Sequence, residues 1–143
     1  MRQALRLSVV ETSRPDQDRR RSAGRVRILI VDDVPAFREA ARALLEKRGH
    51  VVAESADGRG ALETAVSFAP ELALVDLRLG AETGFDASRA LTRAFPDLPV
   101  VLMSVDSAEP LPEDVSACGA RAYVPKRRLS AADLEAIARG GAS

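Results

Sequence analysis

At 143 residues with 46% hydrophobic side chains, the chain is long enough to bury one core of ordinary size, and its length argues against a second folded domain. Its 21 basic and 21 acidic residues cancel, which excludes a strong overall attraction to nucleic acid, a membrane surface or an acidic partner. A single cysteine, Cys118, excludes an internal disulfide, and with one histidine there is no Cys/His set spaced for zinc.

The lone cysteine points to a reducing compartment, no stretch has the apolar length of a membrane span, and Met1 to Val10 is too interrupted for a signal peptide. A cytoplasmic location is the expectation. Residues 1–25 hold seven Arg against Glu11, Asp16 and Asp18, so a basic tail precedes a mildly acidic domain over 26–143. From Glu11 to Arg25 large apolar residues are nearly absent, and that stretch is expected to be a flexible extension whose Arg19-Arg20-Arg21 run is a solvated charge cluster.

The apolar run Ile28-Leu29-Ile30-Val31, stopped by Asp32-Asp33, predicts a central parallel strand buried on both faces. Pro35 suits a first helical turn, and Phe37, Ala40, Ala41, Leu44 and Leu45 recur with helical spacing until Gly49. Val51-Val52-Ala53 predicts a second strand, and Asp57-Gly58 a turn into a helix burying Ala61, Leu62, Ala65, Val66 and Ala69. Leu72-Ala73-Leu74-Val75 is a third strand stopped by Asp76, followed by a helix carrying Ala87, Ala90, Leu91, Ala94 and Phe95. Pro99 to Met103 forms a fourth strand ending at Ser104, and Ala122-Tyr123-Val124 a fifth ending at Pro125-Lys126. Between them Pro110 and Pro112 confine the fourth helix to about Glu113 to Cys118. A last helix opens at the cap-like Ser130-Ala131-Ala132-Asp133.

Five strands alternating with five helices imply right-handed crossovers and a (βα)5 doubly wound parallel sheet, commonly in strand order 2-1-3-4-5. Ligands in such sheets bind at the carboxyl ends of the strands where the order reverses, which here is between the first and third strands. Asp32, Asp33 and Asp76 all stand there. Two like charges at about 4 Å cost on the order of 4 kcal/mol at an effective dielectric of 20, so the cluster calls for a shared cation. The candidates are a hard divalent ion, for which oxygen ligands suit Mg²⁺, and Lys126 at the same edge.

An acidic pair after strand one, an aspartate after strand three, a hydroxyl after strand four and a lysine after strand five together resemble the receiver domain of bacterial response regulators, in a stretch covering about Val26 to Arg139. Gly84-Phe85-Asp86 and Cys118-Gly119-Ala120 strengthen the likeness. The resemblance implies a CheY-like, flavodoxin-like fold, with Asp76 as phosphoacceptor and Mg²⁺ bound directly by Asp33, through water by Asp32, by Asp76 itself, and by the backbone carbonyl of Arg78. It implies that Lys126 and Ser104 contact the arriving phosphoryl group and that Tyr123 is the aromatic switch. A histidine kinase or phosphotransfer protein would be the donor. With no DNA-binding or other effector domain expected after Ser143, the output would be contact with a downstream protein, the only reactions catalysed being its own phosphorylation and dephosphorylation.

The chain departs from the family pattern at Val105, a β-branched residue expected to narrow the phosphoryl site. It departs again at Pro125, which precedes rather than follows the lysine, and in the proline-disrupted fourth helix. Arg78 and Asp106 are expected to pair as a lid over the acceptor. The other reading is an interaction module of receiver fold that works without phosphorylation. A hydrolase using Asp76 on an external substrate lacks a glycine-rich phosphate loop and a second acid/base pair. Gly58-Arg59-Gly60 falls short of a dinucleotide fingerprint, Cys118 reads as a packed side chain, and His50 as a loop residue.

Overall fold

The computed structural model describes residues 24–105 and 109–140. The expected tail, apart from Gly24 and Arg25, and the expected lid partner Asp106 lie outside the described residues. The first strand, β1 (Arg27–Val31), leads into α1 (Pro35–Lys47), then β2 (Val51–Ser55), α2 (Gly58–Phe68) and β3 (Leu72–Asp76). A two-stranded antiparallel ribbon comes next, β4 (Arg78–Leu79) with β5 (Glu82–Thr83), turning at Gly80 with φ +66°. Then come α3 (Gly84–Ala94), β6 (Val100–Ser104), α4 (Pro112–Ala117), β7 (Ala122–Pro125), a 3₁₀ segment (Lys126–Ala131) and α5 (Leu134–Ala138).

The main sheet is parallel throughout and ordered β2-β1-β3-β6-β7. Because β4 and β5 form their own ribbon, β6 and β7 are the fourth and fifth strands of this sheet, and the order is the expected 2-1-3-4-5. The continuous apolar runs divide by alternation onto two faces. Ile28, Ile30, Leu72, Leu74, Val101 and Met103 pack toward Leu45 of α1 and Leu134 and Ile137 of α5. Leu29, Val31, Ala73, Val75, Val100 and Leu102 pack toward Ala61 and Ala65 of α2 and Ala87 and Leu91 of α3. Both layers are closed, so a polar residue at a strand end is the first point at which water or a ligand reaches the sheet.

Local chemistry sets the helix ends. The Asp57 carboxylate accepts from Gly60 N–H at 2.7 Å, the Thr83 hydroxyl from Asp86 N–H at 3.2 Å, and the Asp133 carboxylate from Ala136 N–H at 3.0 Å. The last of these corrects the expected start at Ser130, because Lys126 to Ala131 winds as 3₁₀ before α5 begins at Leu134. The fourth helix is short, as the two prolines imply, but it starts at Pro112 and stops at Ala117. The stripe expected on the second helix is also corrected: Val66 is 75% exposed and Ala69, the left-handed C-cap residue, faces solvent, while Gly58, Ala61 and Ala65 are buried. Ala40 and Ala94 are likewise exposed at the margins of their stripes.

His50 lies in the connection between α1 and β2, as expected, but it is not a solvent-facing loop side chain. Its side chain is fully buried; Nδ1 accepts from Val26 N–H at 3.1 Å, and Nε2 lies 3.7 Å from Glu135 Oε1 of α5. With Nδ1 occupied as acceptor, the neutral ring carries its proton on Nε2, facing that carboxylate. Burial lowers the His50 pKa below the usual histidine value, Glu135 opposes this, and Arg48 adds to it. Above about pH 6.5, the ordinary histidine value, the ring is neutral folded and unfolded; below it the unfolded chain takes up a proton that the folded chain resists, and stability falls. Urea midpoints at pH 7.5 and 5.5 are expected to converge in His50→Gln relative to the parent, which loses more of its stability at the lower pH.

Candidate metal and phosphoryl site

The carboxyl ends of β1 and β3 deliver the acidic residues because each strand is apolar until its last step, and hydrogen bonds fix the residues just beyond. Asp32 is fully buried at the end of β1; its Oδ1 accepts from Val34 N–H at 2.9 Å, and its backbone carbonyl from Arg38 Nη1 at 2.6 Å. Arg38 is held in turn by Glu54 of β2, with Nε 3.0 Å from Oε1. Asp33, the next residue, is exposed. Asp76, 7% exposed, ends β3, and one carboxylate oxygen from each of the three aspartates lies within 4.8 Å of the others. The sequence pattern and the geometry therefore bring the same three residues together.

Lys126, the first residue after β7, extends into this cluster. Its Nζ is 2.6 Å from Asp32 Oδ2 and 3.5 Å from Asp76 Oδ2, with the side chain only 8% exposed. The Phe37 ring of α1 closes one side, its centroid 4.0 Å from Nζ. Burial pushes the Asp76 carboxyl above the usual carboxylate range; Lys126 pulls it down, Asp32 pushes it up, and the Arg78 N–H bond favours the charged form.

These residues fit a hard divalent ion. Asp32 Oδ2 is buried, and among the described residues the Lys126 ammonium, 2.6 Å away, is the partner that balances its charge. The oxygen-only donor set, one member of it open to solvent, matches the preference of Mg²⁺ for few carboxylates and several waters.

The other expected site residues lie around this cluster. Ser104 ends β6, beside β3 in the sheet, and is 6% exposed. Arg78 is the first residue of the β4–β5 ribbon and is exposed. Val105, just beyond Ser104, is 74% exposed, so most of its side chain stands in solvent. Pro125 completes β7 opposite Ser104, which sets Lys126 at the sheet edge, and among the described residues no peptide bond is cis. Tyr123 lies in β7 opposite Leu102, half-buried, with a hydroxyl that is buried and has no hydrogen-bond partner among the described residues. Desolvating an unpaired hydroxyl is unfavourable, so Tyr123→Phe is expected to raise stability by about 1 kcal/mol in the unphosphorylated protein. A lower thermal midpoint in that variant would show that the hydroxyl is satisfied.

Two residues that support the site carry no clear sign of that role in the sequence. Gly84 opens α3 so closely against the acceptor strand that a Cβ there would sit 2.2 Å from the Asp76 carbonyl oxygen and 2.7 Å from Leu77 Cα. These are backbone atoms and cannot rotate away. Gly84→Ala is expected to cost about 1–3 kcal/mol, read from denaturant midpoints, and to displace Asp76. Phe37 is legible only as a stripe residue; its place beside Lys126 depends on where the fifth strand ends.

The response regulator receiver domain matches residues 28–139. The chain belongs to the response regulator receiver family. This receiver is 32% identical over 123 residues to the transcriptional regulatory protein DegU of Brevibacillus brevis, covering 82% of this chain and 52% of that protein. It is 32% identical over 114 residues to the response regulator GacA of Pseudomonas viridiflava, covering 78% and 53% respectively. The chain thus spans about half the length of the curated relatives it matches. Among solved structures, a two-component response regulator of the LuxR family from Aurantimonas sp. SI85-9A1 superposes with a TM-score of 0.74 at 29% identity, over 82% of this chain and 87% of that one. Response regulator TrrA of Thermotoga maritima, solved in complex with Mg(2+)-BeF, gives 0.62 at 26% identity, over 69% and 84%. Receiver domains of this family are signalling domains. Among the described residues no helix is long and apolar enough to cross a membrane.

Proposed function

We propose that this receiver accepts a phosphoryl group on Asp76 from the phosphohistidine of a histidine kinase or phosphotransfer protein, with Mg²⁺ beside it, and signals through a phosphorylation-dependent protein contact. The observation that carries the reading is the meeting of Asp32, Asp33 and Asp76 within 4.8 Å around the buried Lys126 ammonium. Asp33, exposed, would ligate the ion directly, Asp32 largely through water, and Asp76 and the Arg78 carbonyl would complete the protein's share. When bound, the ion would spread the charge that develops on the transferred group. An Asp76 carboxylate oxygen attacks phosphorus, the P–N bond breaks, the imidazole leaves with its electron pair, and an acyl phosphate remains on the protein. Lys126 opposes the effect of burial on the nucleophile's ionisation, and Ser104 would donate to a phosphoryl oxygen.

Intact-mass measurement after incubation with a phosphorylated histidine domain and Mg²⁺ tests the reading. One phosphoryl adduct is expected on the parent and none on Asp33→Asn. A parent that gains no mass would instead support an interaction module working without phosphorylation, a reading favoured by a fourth helix in which no residue is buried.

A further inference from the structure

The ribbon between the acceptor and α3 is tied down at a point far from it in sequence. Glu82, in β5, places its Oε1 2.9 Å from the backbone N–H of Gly58, the first residue of α2. The carboxylate lies flat on that glycine, where a Cβ would come within 2.4 Å of Glu82 Oε2. Asp57 already serves the Gly60 N–H, so α2 has two carboxylates at its first turn, one from its own N-cap and one from the ribbon. A helix N-terminus favours negative charge, and the Gly58 N–H has no partner within its helix.

The other end of the ribbon reaches the acidic cluster. The turn at Gly80 passes beside Asp33, whose Oδ2 is 3.8 Å from where a Gly80 Cβ would stand. Arg78 donates its N–H to the Asp76 carboxylate and, within the ribbon, is paired with Thr83, the residue after Glu82. Leu79 is buried against the core on the α2 and α3 side. The ribbon's ends are held by the backbone bonds Leu77 N–H to Met103 O and Gly84 N–H to Leu77 O, and the Glu82 contact adds a fixed point between them, on the side facing α2.

From this geometry we propose that Glu82 is a positioning residue: its contact with the Gly58 N–H holds the ribbon, and with it the Arg78 peptide, in place at the Asp33–Asp76 cluster for Mg²⁺. The inference rests on the metal reading above and adds the residue that preorganises it. Groups that orient metal ligands from behind contribute about tenfold or more to affinity.

The test is calorimetric titration of the purified chain with MgCl₂ alone, run on the parent, Glu82→Asp, Glu82→Gln and Asp33→Asn, with amide hydrogen exchange on the same samples. Glu82→Asp keeps the charge but loses reach. It is expected to weaken Mg²⁺ binding about tenfold, to speed exchange at the Gly58 N–H, and to shift the Mg²⁺ requirement of phosphotransfer without changing the rate at saturating Mg²⁺. Glu82→Gln keeps an acceptor at full length and is expected to stay near the parent. Glu82→Asp binding like the parent with its Gly58 amide freed would overturn the proposal. So would Glu82→Gln weakened as much as Glu82→Asp, since charge rather than position would then be the cause. Failure of the metal reading has a different signature: binding in the parent that survives unchanged in Asp33→Asn, which overturns both.

Discussion

Lys126→Met is expected to destabilise the metal-free receiver by about 3–5 kcal/mol, the range for removing one partner of a buried ion pair. The ammonium stands within the cluster, 2.6 Å from a carboxylate with no exposure and 3.5 Å from a second. Without it, Asp32 Oδ2 is left in the sheet edge with neither that counter-charge nor a donor among the described residues. The Met side chain replaces most of the contact with Phe37, so the loss reports charge more than packing. Two controls make the result specific. Saturating Mg²⁺ should recover a large part of the loss, because a ligand bound only by the folded state stabilises it by mass action. Combining Lys126→Met with Asp32→Asn should cost less than the sum of the single changes, since the buried charge that Lys126 balances is then gone. Urea unfolding with and without Mg²⁺ reads both; a Lys126→Met midpoint equal to the parent's would show that the pair contributes nothing.

Asp76→Asn is expected to abolish the phosphoryl adduct while leaving the fold intact and more stable at neutral pH. The sign is set by the direction in which the acceptor is held. Burial raises its pKa above the ordinary value, so the folded chain holds the proton more tightly than the unfolded chain does, and stability is lost as pH rises through the folded pKa. Asparagine removes that burden at nearly the same volume. The gain should fade as pH falls toward the ordinary aspartate value, where the parent's carboxyl is already neutral. Paired denaturation curves at pH 7.5 and pH 4 check the trend, and intact mass checks the label. An adduct retained in the variant would remove Asp76 from its role.

The fold and the acidic cluster were legible because buried parallel strands are written as apolar runs that stop abruptly, and here each stop is a candidate site residue: Asp32-Asp33, Asp76, Ser104 and Lys126. Strand order then put the three carboxylates at one edge. Features made by contacts between segments distant in sequence could not be read. A two-residue strand such as Arg78–Leu79 has no periodicity to detect, and nothing near Glu82 announces that its carboxylate meets Gly58. His50 comes after a glycine with φ +96°, a local sign of a turn, yet its ring is enclosed by the entry to β1 and by Glu135. Val66 fits the helical period but stands 75% exposed, because period alone does not say how wide a stripe the sheet covers. The Lys126–Ala131 turn was hidden because Ser130 and Asp133 offer equally good caps, and only packing of Leu129 and Leu134 chooses between them.

The fourth helix has six residues and buries none of them. Helices this short do not hold themselves together in water, and this one has little apolar contact to compensate. It is among the cheapest parts of the molecule to rearrange, and it connects β6 to β7, the strands that carry Ser104 and Lys126. Carrying a two-state segment from one in a hundred to ninety-nine in a hundred takes about 5.5 kcal/mol, whereas a bias of about 1.4 kcal/mol changes its ratio tenfold. Where the resting preference is small, a few contacts formed at the strand ends are enough to redistribute the conformers of α4 while the five-stranded sheet keeps its register. Sensitivity in this receiver would then be set by how little holds that helix, and mutations that lengthen or bury it should blunt the response even though they touch none of the acidic residues.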